Sequence, residues 1–339
     1  MKRYLSPILL LLALAVPASA SATTFGAEVG TEFINQSRGE PAAQVLTSLK
    51  ALYAAGGRVG KADSDWAGAE PQAPVHGHHT YLWGNDDTIV TELAQARLRL
   101  EPSLELAPKW ARAHRADVVH TPTGPFVVPL PPAKSADYTA YATAFMQRYG
   151  AHGSFWAAHP SLPYLPVTTV EVWNEPDNTH NWGPQVNLKD YATLYEAVRT
   201  AVHRVNRHTV VVTGGLAWTK SSLPRLLKAF KGKPIDAVGF HPYAATPNAT
   251  IALARYAVAE MRHYGRGRVP LVANEYGWTS VRNTWGTTKA SHVKTYVYDA
   301  LVGLAKLKLA QIIPFTWSSP AWGLSDGPFA RAIAKVHHR

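Results

Sequence analysis

"TVEVWNEPDN" (169–178) begins as a strand and ends as something else. Val170 and Val172 alternate with Glu171 and Trp173, the period-2 pattern of a β-strand. Asn174-Glu175-Pro176 then stops the run. The proline has no N–H to give a sheet, and its ring biases the residue before it to extended backbone. Glu175 is therefore predicted to be extended, with its carboxyl left at the strand end. "LVANEYGW" (271–278) repeats the design, an apolar run closing on Asn274-Glu275. Whether the two ends meet depends on the fold between and around them.

Working outward, β-type runs are predicted at 24–29, 57–63, 98–106, 168–173, 209–215, 236–241, 269–275 and 310–317. Helical patterns follow them near 41–54, 86–96, 136–149, 189–205, 221–230, 248–263, 289–306 and 327–336. Strict alternation of strand and helix implies a parallel sheet, and eight repeats imply closure into a (β/α)8 barrel. An open doubly wound sheet usually carries a Gly-rich phosphate loop after its first strand, which "GAEVGTEF" (26–33) is not. The longest connection, 107–136, holds "TPTGPFVVPLPP" (121–132) and is expected to form part of a cleft wall.

Lys2 and Arg3 precede the apolar run "ILLLLALAVPASASA" (8–22), which ends in small residues. That pattern predicts a secretory signal peptide over 1–22, a barrel over 23–339, and a secreted protein with no membrane insertion after cleavage. The chain lacks cysteine, which excludes disulfides and thiolate chemistry. Its formal charge is +11, but the Lys and Arg are dispersed and no nucleic-acid motif accompanies them. A solvated surface accounts for the charge, with attraction to an acidic polymer as the sharper alternative. A monomer is expected.

In parallel barrels reactive groups gather at the C-terminal strand ends. Here those ends carry Lys61, Asp63 and Trp66 on the second strand, and Glu101 or Glu105 then Trp110 on the third. Asn174-Glu175 ends the fourth and Trp218 lies near the end of the fifth. His241-Pro242-Tyr243 ends the sixth, Asn274-Glu275 with Trp278 the seventh, and Trp317 the eighth. Aromatic rings beside amides and acids suit sugars, whose C–H faces stack while their hydroxyls hydrogen-bond. Two carboxyls on such a rim suggest glycoside hydrolysis, one protonating the leaving oxygen and one attacking the anomeric carbon. Glu171, four residues before Glu175 on the same strand face, reads as a buried acid paired with a Lys or Arg. "HGHH" (76–79) reads as a surface loop, and no His pair has metal-ligand spacing.

"VEVWNEP" (170–176), "VPLVANEYGW" (269–278), "VGFHPY" (238–243) and "IIPFTW" (312–317), in this order, resemble clan A of the retaining (β/α)8 glycoside hydrolases. "KADSDWAGAEP" (61–71) is similar to the second-strand segment of its families 39 and 5, family 39 foremost. The resemblance implies that Glu175 is the general acid/base, Glu275 the nucleophile, and Asn174 the amide holding the sugar 2-hydroxyl. It implies that His241 and Tyr243 surround the nucleophile and that Trp317 is an aromatic floor before a cis Trp317–Ser318 bond. Trp66, Trp110 and Trp278 are further candidates for sugar contact. No cofactor and no metal are implied, and the substrate would be a β-linked poly- or oligosaccharide. Lys61 departs from the family pattern, which places an Arg there; a lysine brings a point charge instead of a planar fork. Two other classes remain. One is a glycan-binding barrel without catalysis. The other is a different barrel enzyme, for which Lys61 is the sole candidate Schiff-base lysine at a strand end.

Overall fold

The computed structural model describes residues 23–113, 118–121, 124–127, 130–183, 185–281, 287–317, 322, 324 and 326–337. The predicted signal peptide lies outside them. The strands are β1 (Thr24–Glu28), β2 (Val59–Asp65), β3 (Arg99–Glu105), β4 (Val118–Thr121), β5 (Gly124–Val127), β6 (Thr169–Val172), β7 (Val210–Leu216), β8 (Ala237–Phe240), β9 (Leu271–Ala273) and β10 (Gln311–Ile312). Eight of them close in the order β1-β10-β9-β8-β7-β6-β3-β2, every neighbouring pair parallel. The expected (β/α)8 barrel is present. The other two, β4 and β5, pair antiparallel as a hairpin inside the long 107–136 connection. The Pro-rich composition of that stretch concealed them.

The helices are α1 (Gly30–Ser37), α2 (Ala42–Ala54), α3 (Trp66–Ala69), α4 (Gly84–Gln95), α5 (Ser135–Tyr149), α6 (Ser154–Ala158), α7 (Thr179–Trp182), α8 (Leu188–Val205), α9 (Thr219–Ala229), α10 (Pro247–His263), α11 (Ala290–Ala305) and α12 (Asp326–His337). Local chemistry starts several of them. The Asn187 side chain accepts the Lys189 and Asp190 N–H groups at the head of α8. Thr246 caps α10, whose first residue is Pro247. Among the described residues no helix is long and apolar enough to cross a membrane.

The main core lies between barrel and helices. Trp66, Tyr138, Tyr141, Phe145 and Trp173 are buried there, and their rings meet edge to face, stacked or tilted. Inside the barrel the bottom is closed by Val212, Ala237 and Val272. The layer above is charged. Glu28, Lys61 and Glu101 stand side by side in register on β1, β2 and β3, and Glu171 on β6 is buried with them. A barrel interior is more often filled with branched aliphatic side chains.

Candidate active site

The C-terminal end of β6 turns sharply. Trp173 and Glu175 both have left-handed backbone, at φ 66° and 45°. Glu175 is thus not extended as Pro176 predicted. One tertiary and one local hydrogen bond set the turn: Trp173 N–H donates to Leu104 O and Asn178 N–H to Glu175 O. Each non-glycine residue held this way costs on the order of 1–3 kcal/mol, which the buried Trp173 and Pro176 offset. Asp177 then ties this turn to the next strand end, its carboxylate accepting the Ala217 and Trp218 N–H groups.

The turn aims Glu175 into a cavity of about 740 Å³ at the strand ends. Glu175 Oε2 accepts hydrogen bonds from Asn178 and Asn181, each 2.8 Å. Its Oε1 lies 3.0 Å from His241 Nδ1. Glu275 reaches in from the far side, beyond β9. Lys61 donates to its Oε1 and Tyr243 to its Oε2, both at 3.1 Å. Oxygens of the two glutamates and His241 Nδ1 all lie within 4.8 Å of one another. Three such groups could hold a metal ion, but their atoms are already engaged with each other, Lys61 and Tyr243. The set has the form of an acid–base pair. Retaining glycosidases place their carboxyls about 5–5.5 Å apart, inverting ones about 6.5–9.5 Å.

The two glutamates have opposite surroundings. Burial pushes the Glu275 carboxyl up, but His241, Lys61 and Tyr243 together outweigh it and hold it below the usual range. Burial opposes the His241 charge, yet Glu275 and Glu175 outweigh that and raise it. His241 is therefore a place to keep a proton beside an ionised Glu275. Gly215 makes room for this arrangement: a Cβ there would lie 2.0 Å from His241 Nε2.

Glu175, Glu275, Asn174 and Tyr243 line the cavity, with His241 fully buried directly behind them. The predicted tryptophans do not line it. Trp66 is buried and donates to Glu70, and Trp110 packs on it and donates to the Glu70 carbonyl. Trp278 is buried and donates to Ala244 O; Trp317 is buried, donates to Ser48 O and packs on Phe329. These four are corrections to the expected sugar contacts. Successive strand-end side chains alternate between cleft and helix layer, and a large apolar ring gains most in the helix layer. The aromatic wall is instead Phe315 and Trp322, in T-shaped contact at 4.9 Å between centroids. Trp322 follows the last strand, a rim position that its place in the sequence could have flagged. The cis peptide bond is Phe315–Thr316, two residues before the one expected; Ser318 lies outside the described residues.

Two more corrections concern the cleft. The described part of the 107–136 connection does not line this cavity; with Trp182 and α8 it borders a separate one of about 720 Å³. Lys61 is fully buried, its charge stabilised by carboxylates, which removes it as a Schiff-base nucleophile. Sequence reading also passed over Glu28 as a cleft residue. It lines the cavity and accepts the Gly30 N–H at 2.7 Å; burial foremost raises it to about 8, against the pull of Lys61. Two smaller expectations hold. Glu171 is buried 3.6 Å from Lys61, and His79 of the "HGHH" loop pairs with Glu70 at 2.7 Å.

No protein-family model matches this sequence, and no curated protein is similar enough in sequence to match it. Solved structures do match the fold. A monomeric beta-xylosidase from Caulobacter crescentus superposes with a TM-score of 0.67 at 16% identity, over 93% of this chain and 67% of its own. A GH39 enzyme from Xanthomonas axonopodis gives 0.65 at 18%, over 94% and 66%. An endoglucanase from Thermotoga maritima gives 0.58 at 10%, over 85% and 89%. The chain thus spans about two thirds of the first two and shares the (β/α)8 barrel fold with all three.

Proposed function

We propose that the chain is a retaining O-glycoside hydrolase acting on a β-linked poly- or oligosaccharide outside the cell. The observation that carries this reading is the meeting of Glu175 and Glu275 within 4.8 Å, one beside a histidine and two amides, the other beside Lys61 and Tyr243. Proteins of similar fold include a beta-xylosidase and an endoglucanase, which supports this reading.

In the proposed reaction a Glu275 oxygen forms a bond to the anomeric carbon as the glycosidic bond breaks. Glu175 gives its proton to the departing oxygen. Water then attacks the glycosyl ester while Glu175 takes a proton from it, and Glu275 leaves as the carboxylate. Asn174, beside Glu175 in the cavity, holds the 2-hydroxyl, and the sugar faces Phe315 and Trp322. A neutral sugar suits this subsite. Glu28, Asp63, Glu175 and Glu275 line it, and no Lys or Arg does among the described residues. A uronate there would meet four carboxyl groups.

The test is a polysaccharide array with sizing of products and NMR of the first anomer released. Net retention is expected, and Glu275→Gln should abolish turnover. An inverted first product, or full activity in Glu275→Gln, contradicts the reading. Binding of a glycan with no sugar released from any would leave a glycan-binding barrel instead.

A further inference from the structure

Lys61 lies below the cleft with no exposed surface. Its Nζ is 3.1 Å from Glu275, 3.5 Å from Glu28 and 3.6 Å from Glu171. Burial drives an ammonium to lose its proton, and nearby carboxylates oppose that. The three partners are not equivalent. Glu28 is pushed up to about 8, by burial foremost, and gives up its proton less readily than an ordinary carboxyl. Glu275, in the reaction proposed above, loses its charge each time it becomes a glycosyl ester. Glu171 is different. Its Oε1 accepts the Gly215 N–H and the Asn274 Nδ2–H, both at 2.6 Å, while Oε2 faces Lys61. Two donors on one oxygen and an ammonium beside the other are the surroundings of a carboxylate.

We infer that Glu171 is a positioning residue for Glu275. Through Lys61 it keeps a charged ammonium against the nucleophile, and through Asn274 it anchors the strand end that carries it. The inference rests on Glu275 being the nucleophile. It explains how a lysine serves at this place: a point charge has no fork to orient itself, so a second carboxylate orients it. It also gives Lys61 a counter-ion that stays when Glu275 is esterified, so no proton has to leave the barrel in mid-cycle. The other titratable groups facing Lys61 are Glu28 on β1, Asp63 on its own strand, Glu101 and Glu105 on β3, and His241 past β8.

Glu171→Gln keeps the shape and removes the charge. The acid limb of kcat/KM, which reports Glu275, is expected to move up by about one pH unit, with kcat reduced and KM little changed. Lys61→Met should shift the limb likewise, and the double variant no further. Simple loss of one negative charge beside a fixed ammonium would move the limb down. A downward or unmoved limb, or additive shifts, overturns the inference. NMR titration of ¹³Cδ-labelled Glu275 reads the same shift without a substrate. If Glu275→Gln stays active the catalytic reading fails, while this titration still decides whether Glu171 acts through Lys61. Should Glu171→Gln not fold, the ¹⁵Nζ signal of Lys61 in the unaltered protein serves. An ammonium up to pH 9 is expected, and deprotonation below that overturns the inference.

Discussion

Glu175 and Glu275 are the same residue with different neighbours. Glu275 faces a lysine, a tyrosine hydroxyl and a histidine; Glu175 faces two amides and the same histidine. Removing the acid while keeping the amide contacts should spare binding. Glu175→Gln is expected to lower kcat by about 10²–10⁴, least with an activated leaving group that needs no proton. Steady-state kinetics on two aryl glycosides would show it. The pH profile follows from the same neighbours. Glu275 is held below the usual 4.5 and His241 is raised above 6.5. Activity should therefore survive below pH 4.5, fall as Glu275 gains its proton, and fall again above pH 6.5 as His241 loses the one it holds. Trp322→Ala should raise KM by about tenfold with kcat little changed, if its ring stacks on the sugar with roughly 1.4 kcal/mol. At this scale the sequence was most legible where a short motif has one use. Asn-Glu after a β run pointed to both glutamates. A tryptophan near a strand end has two uses, and only the packed neighbours separate core from cleft.

At the scale of elements, eight barrel strands and the helices between them were legible because their periods differ and their ends carry turn and cap residues. Boundaries moved by one to three residues at most strands, more at the last, where β10 pairs over only Gln311–Ile312. The β4–β5 hairpin was missed because the Pro-rich composition of its connection concealed the strand signal. Two substitutions probe how elements hold the site. In Gly215→Ala the added methyl on β7 meets His241 on the loop after β8. A loss of about 1–3 kcal/mol in urea unfolding is expected, with kcat reduced as the ring moves. Glu101 on β3 is buried, and burial foremost raises it to about 8. The folded chain then holds a proton that the unfolded chain releases above about 4.5, so stability falls as pH rises from there to about 8. Glu101→Gln removes this dependence. Its melting temperature should exceed that of the unaltered protein by more at pH 8 than at pH 5, a gap corresponding to about 1 kcal/mol or more.

The whole molecule carries a formal charge of +11 but opens on a cleft lined by four carboxyl groups. Its surface and its site therefore speak to different partners. A neutral glycan gains little from either field, so kcat/KM should change less than about twofold between 50 and 500 mM salt, where exposed charges are screened. A steep fall would point to an anionic polymer held on the basic surface. The sequence by itself determined the barrel, since alternating strand and helix periods admit few closures, and it determined the two glutamates, since each ends a strand on one rim. Closure of the barrel decided the rest. It brought Lys61, Glu171 and Glu275 from three strands to one buried ammonium, turned Glu175 into left-handed backbone against its proline, and sent Trp66, Trp278 and Trp317 into the helix layer. Those outcomes depend on distances between residues far apart in the chain, and no local pattern records them.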